Sequence, residues 1–209
     1  MPTMKHTLSI LLVWLLLSST TSSASAHPDE KLVDVAGIDP TIVLDLRYAT
    51  PTNFLNAVVY DSPRGLLRES VAQRLVRVQN ALRPRGLSLK VWDAYRPASV
   101  QKKMWKILPD ERYVASPVRG SKHSRGAAVD VTLVDRSGKE LDMGTGFDDF
   151  SPRAFPNSPE VSSEARKHRR VLRNAMAREG FTQLSTEWWH FEAPDSSQYS
   201  LLDVPLSTR

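Results

Sequence analysis

Apolar residues recur along the chain with two different spacings, and each spacing predicts a different kind of element. Apolar positions three and four residues apart predict helices at about residues 71–82, 97–107 and 162–179. Alternation of apolar and polar positions predicts strands in residues 87–92, 127–134, 180–184 and 188–193. We therefore expect one α+β domain in which helices pack on a mainly antiparallel sheet.

The first 26 residues have the pattern of a secretory signal peptide. Lys5 provides a positive start, residues 8–17 are mostly apolar, and Ala24-Ser25-Ala26 is a small-residue cleavage signature. The apolar run is shorter than the roughly 20 residues of a membrane-spanning helix, so a membrane anchor is the less favoured alternative. The sequence predicts a signal peptide over residues 1–26, a domain over residues 27–209, and an exported, periplasmic protein that is not inserted in the membrane after processing.

Composition and charge exclude several other classes. The chain has no cysteine, which excludes disulfides and lipid attachment through cysteine. The formal net charge is only +5, and the one basic block is RKHRR at residues 166–170. Because this block lies in a predicted helix, we expect a solvated helix face there, with an anion-binding patch as the alternative. We expect no nucleic-acid partner.

Two histidines and an aspartate are candidate metal ligands. His123 precedes the predicted strand 127–134, whose alternation turns Asp130 away from the valine face and towards a cleft. His190 lies at a strand end in TEWWHFE, three positions after Glu187. Two imidazoles, one carboxylate and an open position describe a catalytic zinc site. If Glu187 lies in a turn before the strand, it can face the same metal and act as general base in peptide or amide hydrolysis. The alternative is an edge acid beside a partly buried histidine.

The residues around these candidates carry a more specific pattern. SKHSRGAAVD fits S-x-H-x-x-G-x-A-x-D, and with EWWH downstream it resembles the zinc D,D-peptidases related to VanX and VanY, in peptidase family M15. The resemblance implies a hedgehog/D,D-peptidase-like fold and one Zn²⁺ per chain. It also implies that His123, Asp130 and His190 are the zinc ligands and that Glu187 is the catalytic base.

Three further segments resemble the D-alanyl-D-alanine dipeptidase branch of that family. They are DLRYATPTNF, DAYRP and MGTGFD, at residues 45–54, 93–97 and 143–148. The resemblance implies that Arg96 stabilises the oxyanion formed during hydrolysis and that Ser121, Asp148 and Tyr48 bind substrate, with Asp148 pairing with its free ammonium. The residues alone leave other roles open: a surface ion pair for Arg96, a turn serine for Ser121 and a turn cap for Asp148.

We therefore expect a zinc metallopeptidase that hydrolyses the dipeptide D-alanyl-D-alanine in cell-wall turnover or recycling. The first alternative is a D,D-carboxypeptidase that trims peptidoglycan stem peptides. The second is a non-catalytic, zinc-bearing wall-binding module, which the presence of Glu187 argues against, because a structural zinc site has no use for a base. The oligomeric state is left open. The polar start of the C-terminal segment, PDSSQYSLLDVPLSTR, predicts a mobile end.

Overall fold

The computed structural model describes residues 31–207. The predicted signal peptide and its cleavage point lie outside the described residues. Within residues 31–207, no helix has both the length and the apolar composition that crossing a membrane requires.

The predicted helices and strands are confirmed. In the described part of the chain the helices are α1 (Val35–Ile38), α2 (Glu69–Leu82), α3 (Ala98–Ile107) and α4 (Ser163–Arg178). The strands are β1 (Leu32–Asp34), β2 (Val43–Leu44), β3 (Leu66–Arg68), β4 (Ser88–Asp93), β5 (Ala128–Val134), β6 (Thr182–Gln183) and β7 (His190–Glu192). The pattern predicted α2 to α4 and β4 to β7. It missed β1 to β3 and α1, which are two to four residues long.

Five strands form one sheet in the order β2-β4-β5-β7-β6, and β1 pairs with β3 in a separate two-stranded sheet. Only β2 and β4 are parallel; the other pairs of the five-stranded sheet are antiparallel. All seven residues of the central strand β5 are buried. The α+β fold with a mainly antiparallel sheet is therefore confirmed.

One apolar core joins the sheet to helices α2 and α4. Helix α2 buries Leu75 and Val78 there, and β5 contributes Val129, Val131 and Leu133. Because successive side chains of a strand point to opposite faces, Asp130 lies on the other face of β5. The core thus supports one face of the central strand while the other face is available for polar chemistry.

Helix α4 carries the basic block. The helix begins where the Ser162 hydroxyl accepts a hydrogen bond from the Ala165 amide at 3.0 Å, and it ends before Gly180, which has a φ of 84°. Arg166 and Arg170 are exposed, as predicted for a solvated face. Arg169 differs, with only 2% of its surface exposed. The prediction of a solvated face is therefore wrong at this position.

The C-terminal segment packs against the domain. The Leu202 amide donates a hydrogen bond to the Ser124 carbonyl at 2.8 Å, and the Leu202 carbonyl accepts one from Ala98 at 3.0 Å. Leu206 is fully buried. The prediction of a mobile end is therefore wrong, because apolar residues that follow the polar start hold this segment on the turn at Ser124 and the start of α3.

Candidate active site

Three elements bring the predicted metal ligands together. His123 opens a short 3₁₀ turn that precedes β5, and Gly126 closes it with a φ of 67°, a conformation that favours glycine. Asp130 is the third residue of β5 and His190 is the first residue of β7. The two strands pair with Asp130 directly opposite His190, so both side chains lie on the same face of the sheet.

The three side chains converge on one point and all are buried. One ligand atom from each residue can be chosen so that all three lie within 4.8 Å of one another. Nε2 of His123 is 3.1 Å from Nδ1 of His190, and the Asp130 carboxylate lies 2.9 Å from that Nδ1 and 3.4 Å from that Nε2. Two imidazole nitrogens and one carboxylate oxygen are a donor set that suits zinc.

Neighbouring groups fix the orientation of both imidazoles. Nδ1 of His123 is 2.7 Å from the Ala94 carbonyl oxygen, to which it can only donate, so Nε2 keeps its lone pair for a metal. Nε2 of His190 lies 3.6 Å from the Glu192 carboxylate, which leaves Nδ1 directed at Asp130. These contacts leave Nε2 of His123 and Nδ1 of His190 directed at the centre of the triad.

The electrostatics of the triad favour a positive charge at its centre. Burial opposes ionisation of His190, but hydrogen bonds with Asp130 and then Glu192 outweigh it and raise the histidine's pKa to about 10. Burial also opposes ionisation of Asp130, yet His123 and His190 hold its pKa well below the usual range. A divalent cation at the centre of the triad would replace the proton on His190 and neutralise the charge of the Asp130 carboxylate.

The triad opens into a cleft of about 500 Å³. All the site residues predicted from the sequence line this cleft: Tyr48, Arg96, Ser121, His123, Asp130, Asp148, Glu187 and His190. They come from loops, 3₁₀ turns and strands separated by up to 142 positions in the sequence, and the fold brings them to one place.

Glu187 lies in the loop that precedes β7, not within the strand. This is the arrangement that lets Glu187 and His190 face the same cleft despite a spacing of three. Burial raises the pKa of the Glu187 carboxyl above its ordinary value. A carboxylate whose pKa is raised is a stronger base than a free carboxylate, which suits it to take a proton from water.

Arg96 is held rigidly at the cleft by two side chains. Its Nη2 donates to Asp93 at 2.5 Å and its Nη1 donates to Gln101 at 2.8 Å. The partner Asp93 is fully buried and also accepts hydrogen bonds from the Tyr60 hydroxyl and, at 2.9 Å, from the Ala94 amide. Arg96 therefore does not form an ion pair at the protein surface, which was the alternative that the sequence left open. Sequence reasoning missed Asp93 and Gln101, although Asp93 lies in the quoted DAYRP segment.

Ser121 lines the cleft and also stabilises the turn. Its hydroxyl oxygen accepts a hydrogen bond from the His123 amide at 3.2 Å, which is the turn-serine arrangement that the sequence left open. The two roles are compatible, because the side chain remains at the cleft wall while it orders the start of the ligand turn.

Asp148 and Tyr48 form a pair in the same cleft. The Tyr48 hydroxyl lies 3.2 Å from each carboxylate oxygen of Asp148 and donates to this carboxylate. Asp148 has a φ of 58°, which is uncommon for a residue with a side chain. Burial, followed by the charge of Asp130, raises the pKa of Asp148 well above its ordinary value. Among residues 31–207, no lysine or arginine forms an ion pair with it.

Comparisons with known proteins show the family of this chain. A profile of the M15 peptidases, described as D-ala-D-ala dipeptidase, matches residues 28–205. The D-alanyl-D-alanine dipeptidase of Escherichia coli (strain K12) is 40% identical over 172 residues, which are 82% of this chain and 89% of the relative. That of Enterococcus faecium is 30% identical over 187 residues, which are 78% of this chain and 91% of the relative. Among solved structures, VanYB in complex with D-Alanine-D-Alanine is 18% identical, with a TM-score of 0.42 over 66% of this chain and 77% of that one.

A metal triad, a partly buried carboxyl group and a fixed arginine around one cleft are the parts of a metallopeptidase, and the matched profile covers most of the chain. The protein belongs to the D-ala-D-ala dipeptidase family of the M15 peptidases. The resemblance noted in the sequence is thereby confirmed at the level of the family.

Proposed function

We propose that the protein hydrolyses D-alanyl-D-alanine to D-alanine, with one zinc ion per chain held by His123, Asp130 and His190. The relatives that are 40% and 30% identical carry the name of this activity. The convergent imidazole and carboxylate donors support zinc. Elemental analysis of the purified protein, with about one zinc per chain as the expected result, tests the cofactor.

The roles of the side chains follow from their positions. A bound zinc ion supplies Lewis acidity that activates water and polarises a carbonyl group. Glu187 takes the proton of the attacking water and passes it to the nitrogen of the leaving D-alanine. Arg96, whose guanidinium Asp93 and Gln101 hold in place, stabilises the negative charge that develops on the carbonyl oxygen. Removal of one such donor typically lowers the rate by about 10²–10³.

The pair of Asp148 and Tyr48 is the observation that favours a dipeptide. Among the described residues no lysine or arginine forms an ion pair with Asp148, and burial and the charge of Asp130 outweigh the attraction of Arg96 and raise its pKa. The free ammonium group of a dipeptide supplies a cation that can pair directly with this carboxylate. A longer peptide places a neutral amide at the same position and leaves the carboxylate unpaired, which is strongly unfavourable in a partly buried site.

A D,D-carboxypeptidase that trims stem peptides is the second candidate, because the metal triad and Glu187 serve either reaction. The carboxypeptidase and dipeptidase reactions differ only in the length of the peptide substrate. A non-catalytic wall-binding module does not account for Glu187 and Arg96 in the cleft.

The deciding experiment compares D-alanyl-D-alanine, its N-acetylated form and a stem pentapeptide that ends in the same pair. We expect efficient cleavage of the dipeptide alone.

The variant Asp148→Asn tests the role of this carboxylate, because asparagine keeps the size of the side chain and tolerates a positive φ. We expect the preference for the dipeptide over the N-acetylated form and the pentapeptide to become smaller, through loss of dipeptide turnover. Asp149→Asn is the matched control, because this neighbouring carboxylate accepts a hydrogen bond from the Ser151 amide and does not line the cleft. Equal wild-type rates on dipeptide and pentapeptide would favour the carboxypeptidase.

We also propose that the protein acts outside the cytoplasm, in wall turnover or in salvage of D-alanine. The support is the signal-peptide pattern of residues 1–26. Destruction of newly made D-alanyl-D-alanine requires a cytoplasmic enzyme, so an exported dipeptidase suits the fragments of existing wall better.

A further inference from the structure

Asp148 lies on a long loop that contains little regular secondary structure. Residues 142–155, here called the Asp148 loop, connect the region after β5 to the segment before α4, and their only regular element is the 3₁₀ turn Pro152–Ala154. Loops of this length need contacts from elsewhere in the fold if a side chain they carry is to be placed accurately.

One buried guanidinium holds both ends of the Asp148 loop. Nε of Arg169, on α4, donates to the Met143 carbonyl at 2.7 Å. Nη1 of the same side chain donates to the carbonyls of Arg153 at 3.0 Å and Phe155 at 2.8 Å. The planar group, with several donors in fixed directions, is suited to joining backbone segments that are separated in the sequence.

The same guanidinium also contacts the segment that carries the proposed base. Its Cζ lies 5.5 Å from the centroid of the Trp188 ring, and Trp188 directly follows Glu187. Trp188 in turn contacts the Asp148 loop twice, because its indole nitrogen donates to the Thr145 hydroxyl at 2.8 Å and its amide donates to the Ala154 carbonyl at 3.0 Å. Arg169, Trp188 and the loop therefore form one connected unit.

Burial of an arginine needs an explanation, because a guanidinium removed from water is costly unless its hydrogen bonds are replaced. Arg169 is 2% exposed, and its partners are carbonyl groups of the Asp148 loop, with no carboxylate in an ion pair with it in the described chain. Neighbours Arg166 and Arg170 on the same helix are exposed. Arg169 does not line the cleft, so any effect on substrate must pass through the loop.

We propose that Arg169 is a positioning residue that fixes Asp148 relative to Glu187 and thereby sets the preference for substrates with a free ammonium group. The inference rests on the proposed function, because it assigns Asp148 to the substrate ammonium. A residue that only stabilised the fold would change the amount of folded enzyme. A positioning residue also changes KM and selectivity in the molecules that remain folded.

The test compares the wild-type protein with Arg169→Gln and with Arg173→Gln. Arg173 is the matched control, since it lies one turn further along α4 and donates to the Asn157 side chain at 2.7 Å, outside the Asp148 loop. Hydrogen exchange of the full chain measures loop order without any substrate. Kinetics with D-alanyl-D-alanine and its N-acetylated form, corrected for folded fraction by unfolding curves, measure selectivity.

In Arg169→Gln we expect amides of residues 144–150 to exchange about tenfold faster or more, while those of β4 and β5 do not change. We expect kcat/KM for the dipeptide to fall by roughly 10- to 100-fold, mainly through KM, because small misplacement of a binding group has effects of that size. The ratio of kcat/KM for the dipeptide to kcat/KM for the N-acetylated dipeptide should decrease. Arg173→Gln should match the wild type in all three measurements.

Unchanged KM and selectivity in Arg169→Gln would overturn the proposal, whether or not loop exchange increases. If this variant does not fold, Arg169→Lys replaces it under the same criteria, because lysine keeps the charge but has no planar fork to reach both ends of the loop. A wild-type enzyme without preference for the free dipeptide would instead overturn the proposed function, and this is visible before any variant is compared.

Discussion

Three carboxyl groups of one cleft have different surroundings, and these surroundings match the different roles that we propose for them. Asp130 contacts two imidazoles, which hold its pKa below the usual range and suit it to a metal. Glu187 has its pKa raised by burial, which suits proton transfer. Asp148 has its pKa raised by burial and by Asp130, which suits it to a cationic group of the substrate. Such divergence among neighbouring acids is typical of active sites.

The assignment of Glu187 predicts that Glu187→Gln retains zinc and loses hydrolysis. The amide keeps the shape of the side chain but cannot accept the proton of water, so we expect turnover to fall by about 10²–10⁴. Elemental analysis and steady-state kinetics on the same preparation measure both properties. Glu192→Gln provides the contrast, because Glu192 contacts His190 at 3.6 Å and its loss should weaken zinc binding. Loss of zinc from Glu187→Gln itself would mean that Glu187 is a ligand.

The sequence suggested the metal ligands and Glu187 from their residue types and their places beside predicted strands, whereas the other predicted residues of the cleft came only from the resemblance to the family. Asp93 could have been found, since it precedes Arg96 by three positions in DAYRP. Gln101 and Arg169 could not. Arg169 acts on carbonyl groups 14 to 26 positions away, and a carbonyl group gives no signal in a sequence of side chains. Its place in a basic block indicated an exposed face.

At the scale of elements, the turn that contains His123 depends on one glycine. Gly126 has a φ of 67°, and a Cβ there would lie 2.8 Å from the Leu32 side chain and 3.3 Å from the Arg68 amide nitrogen. Both the nearby atoms and the left-handed backbone oppose a side chain at this position. A substitution of Gly126 should therefore disturb the turn and the position of the ligand His123.

We therefore expect Gly126→Ala to lower the free energy of unfolding by more than the ~1–2 kcal/mol of a left-handed alanine alone. Gly138→Ala is the matched control, because Gly138 has a φ of 82° and no atom within 4 Å of a Cβ. Urea unfolding of both variants measures the difference. Equal losses would show that the neighbours of Gly126 give way without penalty, and that the turn is less tightly packed than its distances indicate.

The elements that could be predicted are those long enough to show a period. Helices α2 and α4 have 14 and 16 residues, and β5 has seven, so their apolar residues repeat several times. Strand β2 has two residues and exists because β4 provides its partner. The C-terminal segment was misjudged for a similar reason, since its order comes from contacts with Ser124 and Ala98 rather than from any pattern of its own.

At the scale of the whole molecule, a rigid part carries two of the metal ligands and loops carry other groups of the cleft. Helices α2 and α4 and one face of the sheet form an apolar core, Asp130 and His190 lie on strands of that sheet, and Glu187 and Asp148 lie on loops. Arg169 spans the two parts, with its backbone in α4 and its hydrogen bonds on the Asp148 loop. Chemistry carried on loops over a rigid support can vary in specificity without loss of the fold.

The export that we propose concerns the whole molecule, and it can be tested directly. The positive start, the apolar run of residues 8–17 and Ala24-Ser25-Ala26 predict processing after Ala26. When the full chain is expressed in a Gram-negative host, we expect the periplasmic fraction to contain a protein whose N-terminal sequence begins at His27. Leu12→Arg should remain cytoplasmic and unprocessed, because a charge in the apolar run opposes insertion by about 2.5–3.5 kcal/mol. An unprocessed wild-type chain in the cytoplasm would contradict export, and the dipeptide available to the enzyme would then be the newly synthesised pool instead of wall fragments.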